Sequence, residues 1–238
     1  MNDITPSLWQ LVAANRILAH EGVVDAFGHV SLRHPENPDR YLLSQSRAPE
    51  LVGMNDLMEF TLEGDPIDQE RRPMYAERPI HGGVYEARPD VQAVVHNHSP
   101  AVIPFGVTGT PLRPVFHLAA IMGDEVPVWD IRDRFGNTNL LVTTMEQGRD
   151  LARCVGGGRA ALMRGHGCVV AGSSLKEAVM AAIYLQVNAR LLLDSLRLGN
   201  VTYLSAGEVE RMSETQRLPL SVNRAWEYWS MRAGCEAT

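Results

Sequence analysis

The spacing of apolar residues near the N-terminus predicts a helix followed by short strands. Apolar side chains recur at helical spacing over residues 7–22, after Pro6, which can occupy a first helical turn, and before the end marked by Gly22. Runs with strand-like patterning come next, at residues 29–34, 40–46 and 57–64. This part of the chain is therefore predicted to pack one helix against part of a β-sheet.

Two prolines delimit a second helix. Pro79 can begin it and Pro89 must end it, because a proline inside a helix removes a hydrogen bond and clashes with the preceding turn. The apolar run that follows, at residues 91–98, predicts a buried strand.

Capping signals mark the later helices. Residues 144–147 have the form of a capping box, which predicts a helix running to about Cys154. Residues 174–177 have the same form and open the longest predicted helix, about 175–196. Between the two helices, residues 159–172 indicate two strands interrupted by a glycine-flanked turn.

Strands and helices are mixed without strict alternation, and neither repeats nor linker-like stretches separate them. We therefore expect one domain over residues 1–238, a three-layer α/β/α fold around a mostly antiparallel or mixed sheet. The end of the chain, residues 197–238, is predicted to form a helical tail. Its aromatic residues Trp226, Tyr228 and Trp229 are expected to pack rather than to close over a site.

Composition narrows the functional classes. The chain has 238 residues, 45% hydrophobic and 21% charged, and a net charge of −6 without any block of like charge, which argues against non-specific nucleic-acid binding. The N-terminus lacks signal-peptide features, and no apolar run approaches the roughly 20 residues of a membrane span. The three cysteines form no C-x-x-C pair and are expected to be reduced. A cytoplasmic protein, with neither nucleic acid nor membrane as partner, is expected.

Two histidines end the strand predicted at residues 91–98. Residues i and i+2 of a strand point to the same face, so His96 and His98 are predicted to project side by side. Two imidazoles in that arrangement can hold one metal ion. The motif alone is equally compatible with two ordinary polar residues at a strand end. A cupin site is excluded, because the next acidic residue after His98 is Asp124.

Two further residues extend this pair to a candidate metal site. His166 lies between glycines, which can present an imidazole into a cleft, although an incidental histidine in a turn fits the same pattern. Glu77 precedes the Pro79 helix, where a carboxylate is also favoured by the helix dipole alone. Together they give three imidazoles and a carboxylate, a set that suits Zn²⁺ or another first-row dication.

Residues 76–100, together with R-G-H-G at 164–167 and Gly28–Ser31, resemble the class II aldolase/adducin family over about residues 8–196. That family includes fuculose-phosphate aldolases and ribulose-phosphate epimerases. The resemblance implies an α/β/α fold, a homotetramer with sites between subunits, and a catalytic divalent metal in each subunit. The implied ligands are His96, His98 and His166, with Glu77 as a further ligand or as the acid–base group.

The chain departs from the sugar-phosphate members where they bind phosphate. The loop at residues 44–49 has no glycine, and Tyr75–Ala76 replaces a serine pair before the acid. Arg47 in that loop suggests a planar carboxylate as ligand, although an ordinary surface arginine is the other interpretation. These features are more similar to a branch that decarboxylates hydroxypyridine dicarboxylates and dihydroxyphthalates.

The resemblance therefore implies a metal-dependent decarboxylase of a hydroxy-substituted aromatic or pyridine carboxylate, acting in aromatic catabolism. Loss of CO₂ leaves an enolate that a Lewis acid can stabilise. Mn²⁺ or Zn²⁺ is expected, and Fe²⁺ or Co²⁺ is also compatible with the ligands. Ser46 and Arg47 are expected to orient the substrate carboxylate, and His29 to contact the ring or its hydroxyl. His117 aligns with a tyrosine that aldolases supply from the neighbouring subunit as proton donor; a satisfied core or interface histidine is the alternative.

Two other functions remain open. A sugar-phosphate aldolase or epimerase can use the same metal site, and phosphate affinity would distinguish it. A non-catalytic module like the adducin head predicts lost ligands, whereas all four positions are filled. His20, His34 and His81 are expected to be structural or exposed.

Overall fold

The structure is a computed structural model that describes residues 3–235. Its helices are α1 Thr5–His20, α2 Arg78–Ala87, α3 Ile103–Val107, α4 Ile131–Phe135, α5 Met145–Val155, α6 Leu175–Leu198, α7 Ala206–Gln216 and α8 Pro219–Arg232. Its strands are β1 His29–Arg33, β2 Arg40–Ser44, β3 Leu57–Thr61, β4 Ala93–Asn97, β5 Val128–Trp129, β6 Ala160–Met163 and β7 Gly167–Gly172. Short 3₁₀ turns lie at Pro49–Leu51, Met54–Asp56 and His117–Met122.

The strands form one sheet in the order β3-β2-β1-β4-β7-β6-β5, in which neighbours are antiparallel except for the parallel pair β5–β6. This confirms the mostly antiparallel, mixed sheet. The central strand β4 pairs with β1 on one side and β7 on the other, and the register sets His29 opposite His96. The C-terminal end of β4 therefore lies beside the start of both neighbouring strands.

Helices cover both faces of the sheet, which confirms the three-layer fold. One hydrophobic core joins the sheet to α1, α6 and α8, and a second joins the opposite face to α2 and α5. Alternate residues of β4 serve the two cores: Ala93 and Val95 face the first, and Val94 faces the second. By the same alternation, His96 lies on the α2 side of the sheet.

Helix α6 corrects one expectation. By length and composition it is a helix that could cross a membrane, so an apolar stretch of that size does occur in the chain. More than half of the relevant window, 56%, is buried inside the protein. Residues such as Ala178 and Ala189 have no exposed surface and pack in the first core. Buried core helices can have this length and composition, and α6 is a core helix here.

The predicted capping box is complete at α5 and only half-formed at α6. Thr144 and Gln147 form the full capping box of α5, as predicted. Ser174 accepts a hydrogen bond from the Glu177 N–H, but the Glu177 carboxylate turns to Ser173 and Arg159 and does not return to the cap. Helix α7 lies in the predicted helical tail, and a complete Ser205–Glu208 capping box marks where it begins.

Two of the three C-terminal aromatic residues, the tryptophans, pack within the subunit, whereas Tyr228 does not. Trp226 and Trp229 are buried in the first core, and the Trp229 ring lies 5.8 Å from that of Tyr184. Tyr228 is 52% exposed. Helix α8 is therefore anchored on α6 by its two tryptophans.

Candidate metal centre and cleft

The four predicted ligands come together at one edge of the sheet. Glu77, His96, His98 and His166 each offer one ligand atom, and these atoms all lie within 4.8 Å of one another. His96 is on β4, His98 follows it, His166 lies in the turn between β6 and β7, and Glu77 is the N-cap of α2. We refer to these four residues as the ligand cluster.

The sheet topology explains how residues distant in sequence meet. Because β4 and β7 are antiparallel and Asn97 is opposite Cys168, the end of β4 lies beside the turn before β7. In that turn the His166 N–H donates to Met163 O at 3.0 Å. Gly165 has φ +66°, a conformation that favours glycine, and so allows a tight turn that returns His166 toward the cluster.

Hydrogen bonds set which nitrogen of two imidazoles faces the cluster. His96 Nδ1 lies 3.0 Å from Cys168 O, and His166 Nδ1 lies 2.9 Å from Leu140 O. A carbonyl can only accept, so each Nδ1 carries the proton and each Nε2 directs a lone pair inward. His98 Nε2 is 3.0 Å from both His96 Nε2 and His166 Nε2.

These contacts fit a bound cation. Lone pairs that converge at 3.0 Å repel one another unless a proton or a metal ion lies between them. Nitrogen ligands about 2.1 Å from one ion are separated by roughly 3.0–3.4 Å, which is the spacing of these atoms. The donor set of three imidazoles and one carboxylate is that of a first-row dication site.

Glu77 completes the cluster with one oxygen. Its Oε1 accepts the Val142 N–H at 3.0 Å, while its Oε2 is 3.6 Å from both His96 Nε2 and His166 Nε2. The side chain makes no cap to α2. Burial raises the pKa of Glu77, but in the metal-free protein His166 and His96, when protonated, donate from Nε2 and add positive charge, which outweighs burial and holds the pKa of Glu77 well below the usual range. The carboxylate is therefore ionised and directed at the cluster.

The loop at residues 136–143 supports two of these groups, which sequence reasoning did not foresee. It provides the Leu140 carbonyl for His166 and the Val142 N–H for Glu77. Leu140 has φ +68°, an uncommon conformation for leucine, and its N–H is held by Thr138 Oγ1 at 3.0 Å. No sequence signal indicated this loop, because its contribution is made by backbone atoms.

A cleft of about 400 Å³ opens beside the cluster. Its lining consists of Ala26, Phe27, Gly28, His29, Ser46, Arg47, Ala48, Tyr75, Ala76, Glu77, His98 and Leu141. The structure thus brings the predicted substrate-binding residues His29, Ser46 and Arg47 to the same cleft as two of the predicted ligands. Arg47 is half-exposed, and its Nη1 lies 3.1 Å from Asp56 Oδ1, which leaves other guanidinium N–H groups open to the cleft.

The loop that would cradle a phosphate has its backbone donors occupied. The N–H groups of Gln45, Ser46 and Arg47 donate to Asp56 O, Pro73 O and the Tyr75 hydroxyl respectively. The Tyr75 hydroxyl also donates to Arg47 O. Three successive N–H groups are therefore satisfied inside the protein, whereas an anion cradle requires them to point at the ligand.

His29 and His81 are in contact behind the cleft wall. His29 Nδ1 lies 2.6 Å from His81 Nε2, and His81 Nδ1 lies 2.6 Å from Ser31 Oγ, which is 2.8 Å from the Tyr85 hydroxyl. His81 was expected to be either structural or exposed, and its side chain is fully buried, which agrees with the first alternative. The available signal was the spacing of His81 and Tyr85, one helical turn apart on α2.

His117 lies apart from the cluster within the subunit. It is exposed at the start of a 3₁₀ turn and lines a second cleft of about 530 Å³, together with Tyr184, Tyr228 and Trp229 among others. A role for His117 at the cluster therefore requires a neighbouring subunit, as the sequence interpretation assumed.

Comparison with known proteins identifies the family of the chain. Residues 9–193 match the model of the family described as Class II Aldolase and Adducin N-terminal domain. The decarboxylase tropJ of Talaromyces stipitatus is 33% identical over 92% of this chain and 90% of its own. A 3,4-dihydroxyphthalate decarboxylase of Arthrobacter keyseri is 32% identical over 77% of this chain and 76% of its own.

The same fold occurs in a solved L-fuculose 1-phosphate aldolase. The two structures agree with a TM-score of 0.76, over 92% of this chain and 99% of the aldolase, at 18% sequence identity. At that identity the likeness concerns the fold alone.

Proposed function

The chain belongs to the class II aldolase and adducin family, and from that premise we propose that it is a metal-dependent decarboxylase of a hydroxy-substituted aromatic or pyridine carboxylate. The family and the named decarboxylases among its relatives place the chain among carbon–carbon lyases of the carboxy-lyase type. The class of substrate, the metal and the residue roles are the parts we propose.

One observation carries the proposal. The ligand atoms of Glu77, His96, His98 and His166 converge at a cleft whose lining also includes the Arg47 guanidinium. A divalent ion held there, Mn²⁺ or Zn²⁺ in our proposal with Fe²⁺ or Co²⁺ also compatible, would act as a Lewis acid toward the negative charge that remains after CO₂ departs. In this proposal a bound cation would lie beside a carboxylate-binding group.

We assign roles in substrate binding and metal binding to individual residues of the cleft. Arg47, held by Asp56, and the exposed Ser46 bind and orient the substrate carboxylate. His29 faces the ring oxygen, and Phe27 and Tyr75 give the cleft aromatic walls that suit a flat ring. We propose Glu77 as a ligand through Oε2, because its Oε1 is engaged by Val142.

The reaction is balanced by one proton. The hydroxyl first loses its proton and the carbon that bears the carboxylate gains one, which gives a keto tautomer with an sp³ carbon at that position. The bond between this carbon and the carboxylate then breaks, CO₂ leaves, and the electron pair enters the ring and the oxygen to restore an aromatic phenolate. The proton taken up overall is the one that adds to the ring carbon. We propose that His117 of a neighbouring subunit donates this proton, since imidazole titrates near neutral pH.

A sugar-phosphate aldolase or epimerase reaction is the alternative that the family allows. It is disfavoured by the 44–49 loop, where the N–H groups of Gln45, Ser46 and Arg47 are bonded within the protein. The guanidinium of Arg47 remains for a planar carboxylate instead.

We further propose that residues 1–238 act as one domain, in a cytoplasmic homotetramer whose sites lie between subunits. The packing of α8 on α6 through Trp226 and Trp229 supports a tail that belongs to the same body as the core. The exposed position of His117, away from its own ligand cluster, supports a site completed by a neighbour.

The test is CO₂ release by Mn²⁺- or Zn²⁺-loaded protein across a panel of ortho-hydroxy aromatic and pyridine carboxylates, with a ketose phosphate as a separate arm. His96→Ala should abolish release, and His20→Ala, which changes an exposed histidine of α1, should leave it unchanged. Cleavage or epimerisation of the ketose phosphate without CO₂ release would replace our proposal by the alternative.

A further inference from the structure

Four buried polar side chains run from the cleft into the protein, and the proposed reaction uses only the first of them. We call His29, His81, Ser31 and Tyr85 the buried polar chain. Their links are 2.6, 2.6 and 2.8 Å long. His29 is 3% exposed, and the other three are at most 1% exposed. At such short distances between buried polar atoms, each link must join one hydrogen-bond donor to one acceptor.

The direction of the hydrogen bonds follows from Tyr85. The neighbours of its hydroxyl are Ser31 Oγ and the Val94 backbone N–H, which is a donor. The Tyr85 O–H must therefore donate to Ser31, because a buried donor left without an acceptor costs about 1–3 kcal/mol. The reverse direction would leave that O–H without an acceptor among the described residues.

The remaining protons are then determined. Ser31 uses its own O–H toward His81 Nδ1, so the His81 proton sits on Nε2 and is donated to His29 Nδ1. Burial lowers the pKa of His81 to about 3, so the ring carries one proton and not two near neutral pH. With its Nδ1 accepting, neutral His29 has its proton on Nε2.

We propose that Tyr85, Ser31 and His81 are positioning residues that hold His29 as its Nε2–H tautomer, so that His29 offers the cleft a hydrogen-bond donor. His29 Nε2 has no hydrogen-bond partner among residues 3–235, and the residue lines the cleft. The His29 ring centroid is 5.1 Å from that of His96, so this donor stands beside the ligand cluster.

A fixed donor beside the cluster selects for substrates that place an acceptor oxygen there. This reading rests on the proposed function for the identity of that oxygen, the ring hydroxyl or its anion. A site built to donate to that oxygen loses affinity for an analogue without it, because the donor is then left unpaired. The buried polar chain would thereby give the site a preference for hydroxy-substituted rings over unsubstituted ones.

The primary test is the tautomer itself, which needs no catalysis. The full chain, labelled with ¹⁵N-histidine, is studied by two-bond ¹⁵N–¹H correlation NMR near neutral pH, both as purified and with Zn²⁺ added. The spectrum that disappears in His29→Gln is that of His29. We expect a protonated Nε2 and an unprotonated Nδ1. An unprotonated Nε2 would overturn the inference, whatever the protein catalyses.

The second test interrupts the buried polar chain by substituting Ser31. Ser31→Ala removes the donor to His81, and Ser31→Thr restores a hydroxyl at the same position. The measured quantity is the binding preference of the Zn²⁺-loaded protein, the Kd for benzoate divided by the Kd for 2-hydroxybenzoate. We expect Ser31→Ala to reduce this ratio by about 2–10-fold, the contribution of one ordinary hydrogen bond, and Ser31→Thr to recover it.

A matched control lies in the same wall. Tyr41 is also buried, with its ring centroid 5.5 Å from that of Tyr85. Its hydroxyl donates to Arg78 O and makes no hydrogen bond to the buried polar chain. Tyr41→Phe should leave the His29 tautomer and the binding preference unchanged.

A Ser31→Ala protein that keeps both the wild-type tautomer and the wild-type preference would contradict the inference. Should Ser31→Ala not fold, the wild-type tautomer alone decides. Absence of CO₂ release would refute the proposed function while leaving the tautomer result to stand.

Discussion

At the scale of single residues, the ligand cluster depends on which atoms are left free by their neighbours. Cys168 O and Leu140 O fix the outer nitrogens of His96 and His166, and the Val142 N–H engages one oxygen of Glu77. What faces inward is a set of lone pairs and one ionised oxygen. Such outer contacts orient metal ligands and raise their basicity, so they would contribute to the affinity of a metal bound here without touching it.

The role of Glu77 gives the first prediction. If its Oε2 is a ligand, Glu77→Gln replaces a charged donor by a neutral one, and we expect metal affinity to fall by at least about tenfold, as for comparable changes around metal ligands. Isothermal titration with Zn²⁺ measures this. Unchanged affinity together with a large loss of kcat would instead make Glu77 an acid–base group.

Arg47 gives the second prediction. A charge-assisted hydrogen bond to a carboxylate contributes about 1.5–3 kcal/mol, so Arg47→Ala should raise KM by roughly 10–100-fold. Arg47→Lys should recover only part of the loss, because lysine lacks the planar fork. Arg197→Ala, at the exposed end of α6, is the control and should have no effect. Equal kinetics for wild type and Arg47→Ala would make this residue an ordinary surface arginine.

The buried imidazoles predict how stability depends on pH. Burial, together with His96 and His166, lowers the pKa of His98 from 6.5 to about 4, and burial lowers that of His81 to about 3. The unfolded chain therefore binds more protons than the folded chain below about pH 6.5, which favours unfolding. The Tm of metal-free protein should fall steadily from pH 7 to 4.5.

The matching control is His29→Gln. Burial and the neighbouring His81 and His96 hold the pKa of His29 well below 6.5, so removing this imidazole should make the decline of Tm with pH shallower. A Tm that is constant, or that rises as the pH falls through this range, would show that these groups are not buried in their neutral forms.

At the scale of elements, the position of Glu77 depends on how closely α2 approaches α5. A Cβ placed on Gly148 would lie 2.1 Å from Pro79 O, and one on Gly83 would lie 2.6 Å from Gly148 O. The two helices therefore cross at glycine, with backbone against backbone. Glu77 occupies the N-cap position of α2, directly before this contact.

Gly148→Ala should therefore destabilise the fold and loosen the metal site together. Overpacking of this kind costs about 1–3 kcal/mol, measurable by urea unfolding. We also expect weaker Zn²⁺ binding, because the start of α2 must shift. Gly207→Ala is the control: its Cβ meets no atom within 4 Å, and alanine favours a helix by up to about 1 kcal/mol. Similar results for both variants would contradict the close crossing.

The elements also show what the sequence can and cannot reveal. Prolines, capping boxes and apolar runs located α1, α2, α5, α6 and the strands other than the two-residue β5. The four candidate ligands could be predicted because their side chains carry metal-binding chemistry, and the structure brings them together. The loop at 136–143 was not, because its support comes from the Leu140 carbonyl and the Val142 N–H, which every residue type possesses.

The buried polar chain escaped notice for a related reason. His81 and Tyr85 lie on an otherwise apolar helix face, and only the register that sets α2 against β1 brings them to Ser31. Spacing along one helix is visible in a sequence, whereas contact across two elements 50 residues apart, as between Ser31 and His81, is not.

At the scale of the whole molecule, the separation of His117 from its own ligand cluster yields a prediction about assembly. If His117 acts in a neighbouring site, subunits carrying His96→Ala and subunits carrying His117→Ala are each inactive alone. Co-refolded in equal amounts, they should regain activity at roughly a quarter of the sites, those that combine both intact residues, as a head-to-tail interface requires. Full activity of His117→Ala alone would remove this residue from the mechanism.

We propose that this chain removes CO₂ from a hydroxy-aromatic carboxylate with the help of a metal held by its ligand cluster. The most direct test measures ¹³CO₂ from a ¹³C-carboxyl ortho-hydroxy aromatic dicarboxylate before chelation, after chelation and after Mn²⁺ or Zn²⁺ is restored. We expect release that is lost with the metal, regained on its return, and absent throughout in His96→Ala. Release that persists after chelation and in His96→Ala would contradict it.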